Sequence, residues 1–205
     1  KAIAHGPTRD DALDALALKA GSIMDDPFRL AGLSAVVGLA QLLPEREPHR
    51  RMYDALQVVL DQIEQDDVWP ALLVRWELGL LEELGFGLDL TRCAATGQAV
   101  NLVYVSPRTG RAVSREAGTA YRDRLLALPA FLSAGAAPSL PDVLDGFRLT
   151  GYFLNRHVFE PRGLDRSERN VDMFFAEEAV AGDGGRRIGP QDVAVAGAGA
   201  RDVTD

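Results

Sequence analysis

Cysteine is nearly absent: the 205 residues contain one, Cys93. A single thiol excludes an intrachain disulfide framework and any zinc site built on Cys₂ or Cys₄. Histidine is also scarce. His5, His49 and His157 fall in three separate segments, and none has a partner at metal-ligand spacing. No run approaches the 18 uncharged apolar residues of a membrane span, and the opening KAIAHGPTRDDALD lacks the apolar stretch of a secretory signal. Both absences point to a cytoplasmic chain without membrane contact. Lysine occurs only at Lys1 and Lys19, so twenty of the 22 basic residues are arginine. GC-rich coding composition produces that bias, so abundance alone does not make an arginine an anion contact. No glycine-rich loop follows a strand and opens a helix, which leaves nothing to cradle a nucleotide phosphate. The chain also begins without Met, and a fragment or trimmed record is expected.

What is present is ordinary for a soluble globular domain: 47% apolar and 25% charged residues, in a length that buries a core without staples. The net charge of −8 is unevenly spread. Residues 10–89 hold sixteen acids against six bases, whereas residues 92–124 hold six arginines against two acids. Residues 148–169 add five arginines against three acids. The sum excludes a histone-like polycation, but the distribution leaves room for a local basic face.

Helical periodicity dominates. Thr8, Asp11 and Gly21 bracket a short helix over 8–20. Asp26 and Pro27 start a second helix, with Leu30, Leu33, Val37, Ala40 and Leu43 on its apolar stripe, stopped by Pro44. A third carries Met52, Leu56, Val59, Leu60 and Ile63. A fourth follows Asp67, with Leu73, Trp76, Leu80 and Leu84 on one side and Gly85-Phe86-Gly87 at its end. Glu77, Glu82 and Glu83 are expected on its solvated face. Short loops between amphipathic helices predict an antiparallel bundle. The pattern then switches to alternation over Val100–Val105, closed by Ser106-Pro107 and Thr109-Gly110, which predicts an inserted β-hairpin. A helix resumes near Thr119 and breaks at Pro129. Ser139, Pro141 and Asp142 open a last long helix, buried through Val143, Phe147, Gly151, Leu154 and Val158 and ended by Pro161 and Gly163. Beyond about residue 176 the chain is Gly/Ala-rich without periodicity, and a disordered tail is expected.

The catalytic inventory is poor. Cys93 is a nucleophile only if a histidine folds against it, and a small buried apolar cysteine otherwise. His157 is a partly buried or surface histidine, or else the one candidate for acid–base work in a small α-helical enzyme. The arginine-rich insert offers more. Arg108 and Arg111 flank a turn, Arg115 follows, and Arg122 and Arg124 open the next helix. Such bases can track phosphates while Tyr104 and Tyr121 stack on bases. The other reading is a solvated knuckle whose arginines pair with the acidic bundle.

The runs RWELGLLEELGFGLDLTRCAATG, YVSPRTGRAVSREAG, LPAFL and GYFLNRHVFEPRGL, in that order and spacing, closely resemble the RecO family of recombination-mediator DNA-repair proteins, nearest its alphaproteobacterial branch. The resemblance runs from about Leu18 to about Leu164. It implies the C-terminal portion of such a protein, without most or all of an N-terminal OB-fold. It also implies a mostly α fold: a helical bundle holding a small inserted hairpin, a degenerate zinc knuckle. The corresponding organisation is an N-terminal helical segment over 1–21, bundle over 22–87 and 119–175, knuckle over 88–118 and tail over 176–205. Where zinc-binding relatives carry two Cys-x-x-Cys pairs, this chain has Cys93 with Thr96 and Ser114 with Ala117, so neither zinc nor any other cofactor is expected, and the hairpin rests on Leu102, Val105 and Val113. The implied role is non-catalytic: displacing single-strand-binding protein, annealing strands and, with RecR, loading RecA on single-stranded DNA. Nucleic acid, single- or double-stranded and weakly held without the OB-fold, is assigned to Arg108, Arg111, Arg115, Arg122, Arg124, Arg156 and Arg162.

Overall fold

The computed structural model describes residues 8–14, 26–45, 47–65, 68–133 and 135–164. The expected tail over 176–205 and the second half of the first helix lie outside them; residues 9–14 are helical, and Thr8 and Asp11 bond reciprocally as a cap. Three helices follow. They are α1 (Pro27–Ala40), α2 (Arg50–Asp61) and α3 (Trp69–Glu83). The Asp26 carboxylate accepts the Arg29 N–H at 3.2 Å, the N-cap that the sequence predicts for α1. Its apolar face is rotated from the expected stripe. Leu33, Ala35, Val36, Leu39 and Ala40 are buried, whereas Leu30 is 37% exposed. α1 has one charged residue in fourteen, so its pattern alone leaves the inward side undecided. α2 matches expectation, with Met52, Leu56, Val59 and Leu60 inward.

α3 is the central helix, packed on α2 at one side and on the last long helix, Leu140–Leu154, at the other. It starts at Trp69, with Pro70 in its first turn and no side-chain cap from Val68; Asp67 lies outside the described residues. Leu73, Trp76 and Leu80 are buried as the stripe predicts, and so are Trp69, Val74, Glu77 and Leu81. Glu77 therefore corrects the solvated-face expectation: it accepts the Thr150 hydroxyl inside the core. A helix gripped from both sides has little face left for water. Its end is a Schellman motif. Phe86 N–H bonds Leu81 C=O at 2.7 Å, Gly85 N–H bonds Glu82 C=O at 3.0 Å, and Gly85 takes φ +87°. His49, at the start of α2, links the loop before it to α3. Its Nδ1 lies 2.8 Å from Glu83 Oε1 and its Nε2 lies 3.2 Å from Pro44 C=O.

The insert is a hairpin of β1 (Leu102–Val105) and β2 (Ala112–Ser114), joined by a third strand from further along the chain, β3 (Leu126–Ala127), in the order β2-β1-β3. The helix expected from Thr119 does not form. Instead α4 (Arg115–Gly118) runs into a 3₁₀ segment (Thr119–Arg124), so Arg122 and Arg124 lie on a tight turn leading into the sheet. Pairing with β1 draws Leu126 and Ala127 into extended backbone against a local pattern that reads helical. Val105 and Val113 are buried and Leu102 is half-buried, so apolar packing carries the hairpin.

After the short α5 (Ala130–Ser133), α6 (Leu140–Leu154) opens on a full capping box between Ser139 and Asp142. It buries Val143, Phe147, Gly151 and Leu154. Pro161 does not end the helix. α6 widens into a π turn (Asn155–Phe159) and resumes as α7 (Glu160–Arg162), stopped by Gly163 at φ +64°. Proline offers no N–H and crowds the carbonyl four residues back, and a π turn just ahead of it absorbs both effects. No helix among the described residues is long and apolar enough to cross a membrane.

Candidate nucleic-acid interface

The hairpin is held by backbone and by packing. Gly110 N–H bonds Ser106 C=O at 2.9 Å and Ser106 N–H bonds Arg111 C=O at 2.9 Å, closing the SPRTG turn. Gly110 takes φ +66° and lies against Leu88 and Phe153 of α6. Arg156, in the π turn that follows α6, donates to Pro107 C=O at 2.8 Å and to Tyr152 Oη at 3.1 Å. The turn is thus clamped to the last helix.

The strand register sorts the arginines. Tyr104 faces Ala127 and Val105 faces Leu126, so β3 enters the sheet where β1 runs into the SPRTG turn. Arg124, two residues before β3, therefore lies at the same end of the sheet as Arg108, Arg111 and Arg156. Arg115 lies at the opposite end, its N–H on Asn101 C=O at 2.9 Å. Arg122 sits between them on the 3₁₀ segment. Arg162 is apart from all of these and reaches Leu42 C=O, 3.5 Å away.

Their partners differ as well. Arg111 pairs with Asp89 at 3.4 Å, both side chains about half exposed. The Thr91 hydroxyl and N–H, helped by Arg111, hold the Asp89 carboxyl below its usual range. The Arg122 side chain pairs, among the described residues, with its neighbour Asp123 at 3.4 Å. The side chains of Arg108, Arg115 and Arg124 are exposed and make no hydrogen bond or ion pair among the described residues. Within the insert, among the described residues, only Arg111 pairs with an acid of the 10–89 stretch. The two tyrosines separate too. Tyr104 is half-buried with its ring pressed on Gly118, whereas Tyr121 is 62% exposed.

The residues at the zinc-knuckle positions do not fit a metal. Cys93 is fully buried; its Sγ accepts the Ser114 N–H at 3.2 Å and lies 3.5 Å from Ser114 Oγ. Gly97 N–H returns to Cys93 C=O at 2.8 Å, closing the first knuckle loop, and Ser114 Oγ caps the second from Ala117 N–H. Burial pushes the thiol up, but hydrogen bonds from Ser114 and Thr96 outweigh it and bring it down to about 6. One thiolate with two hydroxyls and an alanine cannot complete a zinc tetrahedron. No cluster of three His, Cys, Asp or Glu side chains able to hold a metal occurs among the described residues. His157 lies away from this loop, stacked between Phe86 at 4.9 Å and Phe153 at 6.1 Å, so it supplies no base to Cys93.

A feature without a sequence signal is a groove of about 480 Å³ between α2 and α3, whose lining includes Met52, Val58, Leu72 and Gly79 with Arg51 and Arg75 at its edge. Val58 in it is 51% exposed. Only helix packing creates it; a stripe count places Val58 on a solvated face like any other.

The family model "Recombination protein O C terminal" matches residues 24–165, which hold both the bundle and the knuckle. The DNA repair protein RecO of Methylorubrum populi is 50% identical over 167 residues, covering 78% of this chain and 68% of its own length. The chain belongs to the RecO family. RecO of Rhodospirillum centenum is 53% identical over 177 residues, and that of Mesorhizobium japonicum 44% over 181, covering 70% and 71% of their lengths. No solved structure matches the chain. Membership places it in DNA repair and recombination, and it agrees with the resemblance in the runs around Cys93 and His157.

Proposed function

We propose that this RecO-family chain is a non-catalytic cytoplasmic recombination mediator. It contacts the phosphate backbone through the turn end of its sheet, and with RecR and single-strand-binding protein as partners it assists RecA loading and strand annealing. The observation that carries the nucleic-acid part is the convergence of Arg108, Arg111, Arg124 and Arg156 at one end of the sheet, two of them without a side-chain partner among the described residues. Arg115, Arg122 and Arg162 lie outside that cluster and contribute less. The inserted knuckle faces nucleic acid in this reading, and the bundle, with its open α2–α3 groove, faces protein partners. At long range the −8 chain is repelled by DNA. Within a Debye length of about 8 Å at physiological salt the local cluster dominates.

Salt-dependent binding of single-stranded DNA tests this. Each phosphate contact on a single strand contributes about −0.7 to the log–log salt slope. Replacing Arg108, Arg111 and Arg124 by Ala is expected to flatten the slope by roughly two units, with little change in preference among sequences. A triple variant with the wild-type slope assigns these arginines to charge balance alone. RecA filament growth on DNA covered by single-strand-binding protein, with and without RecR, tests the mediator step.

A further inference from the structure

We infer that Tyr121 is a base-stacking platform, so the basic end of the sheet recognises single-stranded nucleic acid with unstacked bases in preference to duplex. This rests on the phosphate-contact reading above and adds the group that selects the strand. Four observations carry it.

Tyr121 is 62% exposed, so its ring is open to a ligand from solvent. Its backbone is pinned on both sides. Gly118 lies so close to Tyr104 that a Cβ there would sit 2.5 Å from the ring, and β3 pairs with β1 just beyond. The Thr119 hydroxyl also bonds Arg115 C=O at 2.7 Å, and Leu125 N–H bonds Arg122 C=O at 3.2 Å. The ring thus projects from a fixed turn, and ordering it on binding costs little backbone entropy. Residues three apart share a face of a 3₁₀ helix at about 2.0 Å rise per residue, which puts Tyr121 beside Arg124, roughly 6 Å along the axis. Finally, Tyr104, the other tyrosine of the insert, is engaged on Gly118 and leaves Tyr121 alone to present a free face there.

A ring beside a guanidinium is the pairing that single-strand sites use: the cation holds a phosphate while the π face takes a base. In a duplex the bases are already stacked on each other, and Tyr121 gains nothing from them.

The test uses the whole chain with a labelled oligothymidylate and a blunt duplex of equal length. Tyr121→Ala is expected to weaken oligothymidylate binding on the order of tenfold while leaving the salt slope and duplex binding unchanged. Tyr121→Phe is expected to bind as wild type, because the ring and not the hydroxyl stacks. Trp69 and Trp76 are buried, so Tyr121→Trp supplies a solvent-exposed indole whose emission is expected to quench on binding. Wild-type affinity in Tyr121→Ala, or unquenched emission at saturation, overturns the inference. If the arginine variant flattens the slope while Tyr121→Ala changes nothing, the phosphate-contact reading survives and the platform does not. If the wild-type chain binds no oligothymidylate, both fall.

Discussion

Thr150 on α6 donates its hydroxyl to the Glu77 carboxylate on α3, and both side chains have no solvent exposure. The hydroxyl also lies 3.2 Å from Gly146 C=O and 3.3 Å from Phe147 C=O, but its one proton gains most from a carboxylate. Thr150→Val keeps the shape and removes that donor. A loss of about 1–3 kcal/mol is expected, read from the urea midpoint at unchanged m, with Thr150→Ser retaining most of the stability. Equal midpoints for Val and wild type would show that Glu77 does not depend on this hydroxyl.

Trp76 is 3% exposed and its Nε1–H bonds Met52 C=O at 3.2 Å, tying α3 to α2. Trp76→Ala removes both the packing and that donor. The expected cost is about 3–5 kcal/mol. Chemical denaturation checks it, and an unchanged midpoint contradicts the burial.

The Cys93 thiol ordinarily titrates near 9.0 and is held at about 6 in the fold. A depressed folded value means that folding releases a proton between those limits. The linked stability is fully present above about pH 9, shrinks as pH falls, and is gone below about 6. The wild-type denaturation midpoint is therefore expected to rise from pH 6 to 9, and Cys93→Ala is expected to flatten that rise. Parallel midpoint–pH curves for the two proteins would contradict the thiolate assignment.

The same loop is expected to carry no zinc. Elemental analysis of untagged protein is expected to find far less than one zinc per chain, and chelator treatment is expected to leave the midpoint unmoved. About one equivalent of zinc would overturn the reading of Cys93, Thr96, Ser114 and Ala117.

Gly118 is the point where α4 passes over the Tyr104 ring. Gly118→Ala forces a Cβ into that ring and must shift the 3₁₀ segment or the strand. A destabilisation of about 1–3 kcal/mol is expected, with amide exchange accelerating in β1 and β3 first. Unchanged protection in those strands would show that the ring moves aside without cost.

Much of this protein was legible in its residues alone. Capping pairs such as Ser139 with Asp142, the glycine stop at Gly85 and the 3.6-residue stripe of α2 are local codes, written within one or two turns and read without knowing what packs outside. The alternation of β1 and the SPRTG turn are equally local, and the ordered runs around Cys93 and His157 carry the family. Tertiary structure decided the rest, because burial is a property of two surfaces and not of one segment. Glu77 carries an ordinary helix acid's sequence signal; only α6 arriving with Thr150 turns it into a buried acceptor. Leu126 and Ala127 read as helix until β1 offers them a partner, and with that pairing Arg124 moves to the SPRTG end of the sheet. Arg108 and Arg124 are sixteen residues apart in the chain. Their convergence is set by strand register, a long-range quantity that no local pattern contains.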